Sequence, residues 1–232
     1  MAPQYFRVHG GRLTLAECWR LARTWSALAK FIAWKCVGGY PFNFPIPRPE
    51  ALHFVKPEEM PAGPYLNAAL KLIAEFEGAG LKLLFTHRTD KLMGAPSLIA
   101  CLLDPAGTTI GTFVSSSKGR GYEAECLATS HFLDGTAGVT TTCRKLFKPQ
   151  PHHLYECRVR ASPAGLIGRH RQNLERWERD GKFPKAFAPA ELPKVILEAQ
   201  QRYVDFHVAR GVFVPLSEEE IALAAAMAKG RA

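Results

Sequence analysis

The chain has 232 residues, 47% hydrophobic and 22% charged, with a formal charge of +9. That composition excludes a disordered chain and describes an ordinary folded protein with one large core or two small ones. Six cysteines (Cys18, Cys36, Cys101, Cys126, Cys143, Cys157) stand far apart with no C-x-x-C pair, which argues against a zinc ribbon or a thioredoxin-type site.

Residues Met1 to Arg7 lack the apolar run of a signal peptide, so an intracellular location, cytoplasmic or peripheral to a membrane, is expected. Leu13 to Val37 reads as one long amphipathic helix. Thr14 and Glu17 have capping-box spacing, and Gly38-Gly39 ends the pattern. Leu15, Cys18, Ala22, Trp25, Ala29, Ile32 and Cys36 form a helical stripe, widened by Trp19, Leu21, Leu28, Phe31 and Trp34. Met1 to Val37 also holds six basic residues (Arg7, Arg12, Arg20, Arg23, Lys30, Lys35) against one acid, Glu17. These basic residues cut the apolar run too short for a membrane span. They suit an interfacial helix, with indoles at the boundary and cations on headgroups.

Tyr40 to Pro64 is proline-rich and reads as an irregular arm; Phe42, Phe44, Ile46, Leu52 and Phe54 make it too apolar for a free linker. Tyr65 to Glu77 is a second helix. Strands follow at Leu81–His87, Ser97–Leu103, Thr108–Ser116, Tyr122–Phe132 and Ala137–Cys143, with a further one between His152 and Val159. Asp104-Pro105-Ala106-Gly107 and Asp134-Gly135 supply turns, the latter a type I′ hairpin signal. Ser115 to Gly121 is polar and reads as an exposed connection. Leu98, Ala100, Leu102, Ile110, Phe113 and Leu127 are the candidate core, with the threonines on a wet opposite face. Three helices close the chain: one from Ser162-Pro163 to about Arg179, one over Ala190 to Arg210, and one over Ser217 to Lys229.

The expected class is therefore α+β: a central antiparallel meander of five to six strands (residues 81–159). An N-terminal long amphipathic helix, a second helix before the sheet and three C-terminal helices flank it. The expected segments are 1–39 (basic amphipathic helix), 40–64 (proline-rich arm) and 65–232 (α+β globular domain, on which 1–39 can pack). The leading functional expectation is a non-enzymatic binding or scaffold protein. It would dock on an anionic membrane surface or a protein partner through Trp19, Arg20, Arg23, Trp25, Lys30, Trp34 and Lys35. The alternative is an enzyme or metal-binding module at the hairpin ends around His131 and Asp134, with His152, His153 and His170 as further donors. Their spacing matches no metal motif, and no cofactor is expected. Cys126 or Cys143 with His131 forms a thiol–imidazole pair only on paper, since no glycine loop accompanies it. Nucleic-acid binding is a weaker expectation: Arg169, Arg171, Arg176 and Arg179 lie among Glu175, Glu178 and Asp180, which read as salt-bridge partners.

Overall fold

Thr14 and Glu17 form the capping box their spacing predicts. The Thr14 hydroxyl accepts from the Glu17 N–H at 3.2 Å, and the Glu17 carboxylate accepts from the Thr14 N–H at 2.8 Å. The computed structural model describes residues 4–22, 24–39, 45–60, 64–89, 97–118, 121–143, 147–158 and 160–229. In it this cap opens a short helix, α1 (Leu15–Leu21).

The single N-terminal helix expected from the sequence is two helices. Ala22 is extended, and Thr24 caps afresh by accepting from the Ala27 N–H at 3.1 Å. A second helix, α2 (Trp25–Val37), follows and ends at Gly38 with φ 70°. The break changes the helical phase. Leu28, Phe31 and Trp34 turn to the core, while Trp25, Ala29, Ile32 and Cys36 face outward.

Two sheets organise the rest. The small sheet joins the chain ends to the arm: β1 (Gln4–Val8) lies between β2 (Ile46–Arg48) and β10 (Phe213–Pro215). Pro47 is tolerated because β2 is an edge strand. The large sheet has seven strands in sequence order: β3 (His53–Phe54), β4 (Lys82–Thr89), β5 (Ser97–Leu103), β6 (Ile110–Lys118), β7 (Gly121–His131), β8 (Ala137–Thr141) and β9 (His153–Cys157). Strands β4 to β8 form an antiparallel meander, as expected. Strand β9 departs from it by pairing with β8 in parallel, the one parallel pair among the described residues, and β3 is added by the arm, which is thus less irregular than its prolines suggest.

The polar Ser115–Gly121 stretch is largely strand, with Lys118 paired to Gly121. At the Asp134-Gly135 turn only Gly135 is left-handed (φ 82°), so the turn is not type I′. Asp134 Oδ1 instead accepts from the Thr136 N–H and hydroxyl at 2.9 and 2.6 Å.

One face of the large sheet is packed directly by α3 (Pro64–Gly78) and α4 (Pro163–Arg179). Ile73, Phe76, Leu166 and Ile167 meet Leu98, Ala100, Leu102, Phe113, Cys126 and Ala128 there. A Cβ on Gly138 would come within 2.2 Å of the Trp177 ring, so glycine is what lets α4 sit so close. The other face is not wet. It is roofed by α5 (Leu192–Ala209), and a last helix, α6 (Glu218–Lys229), is tied to β1 by an Arg7–Glu220 ion pair. The threonines are not wet on either face: Thr141 is fully buried on this side, and Thr140 is fully buried on the other, against α4.

Helix α5 is held in two ways. Its first turns pack Leu192, Val195 and Ile196 with Leu103, Ile110, Leu84 and Phe85 of the large sheet. Its C-terminal half is held by polar anchors. Arg210, at its C-terminus, grips the buried Glu17 carboxylate with both terminal nitrogens at 2.8 Å. Glu17 also accepts from the Lys148 N–H at 2.7 Å. Asp205 accepts from Arg48 Nε and Nη2 at 2.8 and 3.1 Å, and Gln201 donates to the Pro49 carbonyl at 2.9 Å. Burial alone would raise the Glu17 pKa. The hydrogen bonds from Arg210, Thr14 and Lys148 outweigh it and hold the carboxyl at about 2.

Removing one partner of a buried pair strands the other. Glu17→Met or Arg210→Met alone is expected to cost about 3–5 kcal/mol in urea unfolding, and the double variant clearly less than the sum. Additive losses would show that the pair does not act as a unit.

Candidate functional site

The pairing registers place Ile99, Val114 and Glu125 in one row of the large sheet. Ile110, Thr129, Val139 and Tyr155 make a second row, and His131, Ala137 and His153 a third. Residues paired across strands project to the same side, so these side chains share the face beneath α5. The first turns of α5 settle onto this face near Leu103 and Ile110, whereas its later turns are anchored to Arg48, Pro49 and Glu17 instead. A chamber of about 730 Å³ remains, within the range of small-molecule sites. Ile196, Ala199 and Tyr203 of α5 form its roof, and Ile46, Pro47, Phe147 and Pro149 its sides.

Tyr203 marks the chamber's character. It leaves 41% of its surface accessible, yet burial is the main cause that raises its hydroxyl pKa. Tyr203 is thus crowded by protein on one side and faces the half-open chamber on the other. Tyr155, from the floor, behaves in the same way. Behind Tyr203, Arg210 donates to His207 Nδ1 at 3.1 Å, which places the imidazole proton on Nε2. The His207 ring lies 4.7 Å from Tyr203 and 4.8 Å from Phe213 and stiffens the roof.

The residues expected to dock on a surface have divided. Trp19 and Trp25 are 56% and 76% exposed and meet edge-on at 5.1 Å. Lys30 is exposed, whereas Trp34 packs edge-on against Phe31 at 5.3 Å. Two of the cations serve the fold: Lys35 donates to the Gly11 and Leu13 carbonyls at 3.2 and 2.6 Å, and Arg20 to the Ala16 carbonyl at 3.0 Å. Arg23, Phe42 and Phe44 lie outside the described residues. Among the described residues, no helix is long and apolar enough to cross a membrane.

The residues considered for metal or catalysis are dispersed. His131 lines the chamber and packs edge-on against Phe187 at 5.5 Å. Asp134 pairs with Lys182 on the outside of its turn, and His152 is exposed. No group of three His, Cys, Asp or Glu side chains suited to a metal ion occurs among the described residues. Cys126 faces α3 and α4, on the opposite side of the sheet from His131, and burial pushes its thiol up to about 12. On α4, Arg169 pairs with Glu156 of β9 at 2.9 Å and donates to Gln172 on its own helix at 3.1 Å, and Arg171 donates to the Ala79 carbonyl, so two of these cations bind across the fold.

His170 pins α4 to the sheet. Ser130 Oγ donates to the Thr108 carbonyl at 2.7 Å, so it accepts from His170 Nε2 at 3.0 Å. His170 Nδ1 then accepts from the Thr140 hydroxyl at 2.9 Å, and Thr140 accepts from Asn173 at 3.1 Å. Every proton in this buried chain has one direction, which makes it a structural lock and not an activated serine.

No family model matches the chain, and no match was found among curated proteins or among solved structures.

The chamber is not apparent in the sequence, although Glu125, Leu127, Thr129 and His131 alternate correctly for one face of β7. The apolar stripe Ile196, Ala199 and Tyr203 was the signal that this face has a cover.

Burial holds His170 at about 4 against an ordinary value of 6.5. Between those values the unfolded chain binds a proton that the folded chain refuses, so stability falls as pH drops through the window. From pH 7 to pH 5 the wild type should lose about 2 kcal/mol more than His170→Gln in urea unfolding. Parallel losses in the two proteins would contradict this.

Proposed function

We propose that the protein is a non-enzymatic binding protein whose ligand is a mostly apolar small molecule held between the large sheet and α5. The observation that carries this reading is the chamber itself: about 730 Å³, with half of its lining residues Ile, Leu, Val, Ala, Pro or Phe and most of the surface it presents apolar. Apolar walls supply affinity through release of water, and sparse polar groups set orientation. A binding role also suits the locked Ser130–His170 contact and the high pKa values of the buried Cys101 and Cys126 thiols. A catalytic or metal role around His131 and Asp134 draws no comparable support, since Asp134 is engaged outside the chamber that His131 lines.

A second reading concerns α1 and α2. Trp19, Trp25, Leu15 and Val37 are all more than half exposed, Lys30 on α2 is exposed as well, and this suits docking on an anionic membrane surface. The two readings are compatible, because the indole pair and the chamber lie on different elements.

For the chamber, Nile red should bind the wild type saturably. Ala199→Trp, which fills the roof, should abolish that binding while leaving the urea midpoint nearly unchanged. Wild-type protein that shows no saturable dye binding would refute the reading. For the surface, wild type should co-sediment with vesicles containing phosphatidylserine. Trp19→Ala/Trp25→Ala should lose about 2 kcal/mol of partitioning for each indole. Wild-type protein that stays in the supernatant removes the membrane reading.

A further inference from the structure

We propose that the chamber selects a ligand with an anionic head group, seated among Arg202, His131 and His153, and an apolar tail running toward Leu127 and Val114. This rests on the reading of the chamber as a binding site and adds the chemistry that fills it.

The head-group site is built by strand register. His131, Ala137 and His153 are paired residue to residue across β7, β8 and β9. Both imidazoles therefore project into the chamber, on strands about 10 Å apart, with only the Ala137 methyl between them. Arg202 lines the same end from α5. Its charge acts on both imidazoles, and Lys185 adds to it at His131. Burial, reinforced by these cations, holds His131 at about 4 and lowers His153. Each ring is thus neutral at pH 7 and offers one N–H donor, while the guanidinium offers a planar fork. Arg202 has a carboxylate neighbour, Glu198, at 3.5 Å, but this i,i+4 contact is solvent-exposed and holds it weakly.

The opposite end has no such excess of positive charge. Glu125 lies three rows back along β7, about 20 Å from His131. Lys148 lines that end together with Glu125, and Glu17 nearby is paired with Arg210. The positive potential is therefore concentrated at the Arg202 end, and an amphipathic acid enters the chamber in one orientation. Between the ends, Leu127, Ile110, Val139 and Ile196 offer apolar surface to a hydrocarbon tail, with Thr112 and Thr129 among them.

Titration calorimetry of the full chain at pH 7 with dodecanoate, dodecanol and dodecylamine tests this. Dodecanoate should bind about tenfold or more tighter than dodecanol. Arg202→Gln should erase that advantage while leaving dodecanol binding intact. Lys194→Gln, an exposed charge on the same helix, should preserve it. Equal affinity for acid and alcohol overturns the head-group assignment and leaves the chamber standing as a binding site. A preference for the amine overturns it too, as does an acid preference lost in Lys148→Gln but kept in Arg202→Gln. If none of the three binds, the head-group assignment and the chamber reading fall together.

Discussion

The Glu17–Arg210 pair is the constraint on which the second half of the architecture depends. A fully buried carboxylate is unfavourable unless its oxygens are filled. Glu17 fills them from three separate parts of the chain: the α1 cap, the end of α5, and the backbone at Lys148. The N-terminal segment, the roof helix and one wall of the chamber are thereby brought to a single point. The residue that caps α1 is also the one that positions α5.

The two faces of the large sheet show what direct packing and suspension each produce. Under α3 and α4 the sheet offers small side chains and glycines: Ala100, Ala128, Gly111 and Gly138. Helices approach closely there, and Trp177 rests on Gly138 with no room for a methyl group. Under α5 the sheet carries branched and polar residues instead, among them Ile99, Thr112, Val114 and Thr129. Helix α5 takes its ion pairs and hydrogen bonds from Arg48, Pro49 and Glu17, none of which belongs to the large sheet. Interiors normally close such gaps because dispersion contacts are lost across them. Here α5 meets the sheet at its first turns, through Leu192 and Ile196, and the polar anchors hold its later turns over the chamber.

Much of this was legible in the chain. Meander order, the Gly107 turn, the Ser162-Pro163 helix start and the capping box all rest on local rules, and each appears in place. The small sheet was not legible. Its strands are three to five residues long, two of them contain proline, and its members come from the two ends of the chain and the arm. The helix break at Ala22 was hidden because Arg20 to Thr24 carries no glycine or proline; the signal was Thr24, a second capping residue inside an apparently continuous stripe. The wet face was misassigned because threonine suits a solvated strand and a chamber floor equally well. What decides between them is a cover, α5, that lies more than fifty residues downstream of β8.

The proline-rich arm contributes a strand to each sheet, with only residues 49–52 between Arg48 of β2 and His53 of β3. A chain that short spans at most about 17 Å, so it acts as a strap between the two sheets. Any molecule wide enough to lift α5 would draw Arg48 with it and pull on β3, which is fastened to β4 by two paired residues and by the Val55–Thr86 hydrogen bonds beside them. Girth is thereby limited from outside the lining, by a tether and not by a wall. A guest can be long, because the floor is long, but it must be slender.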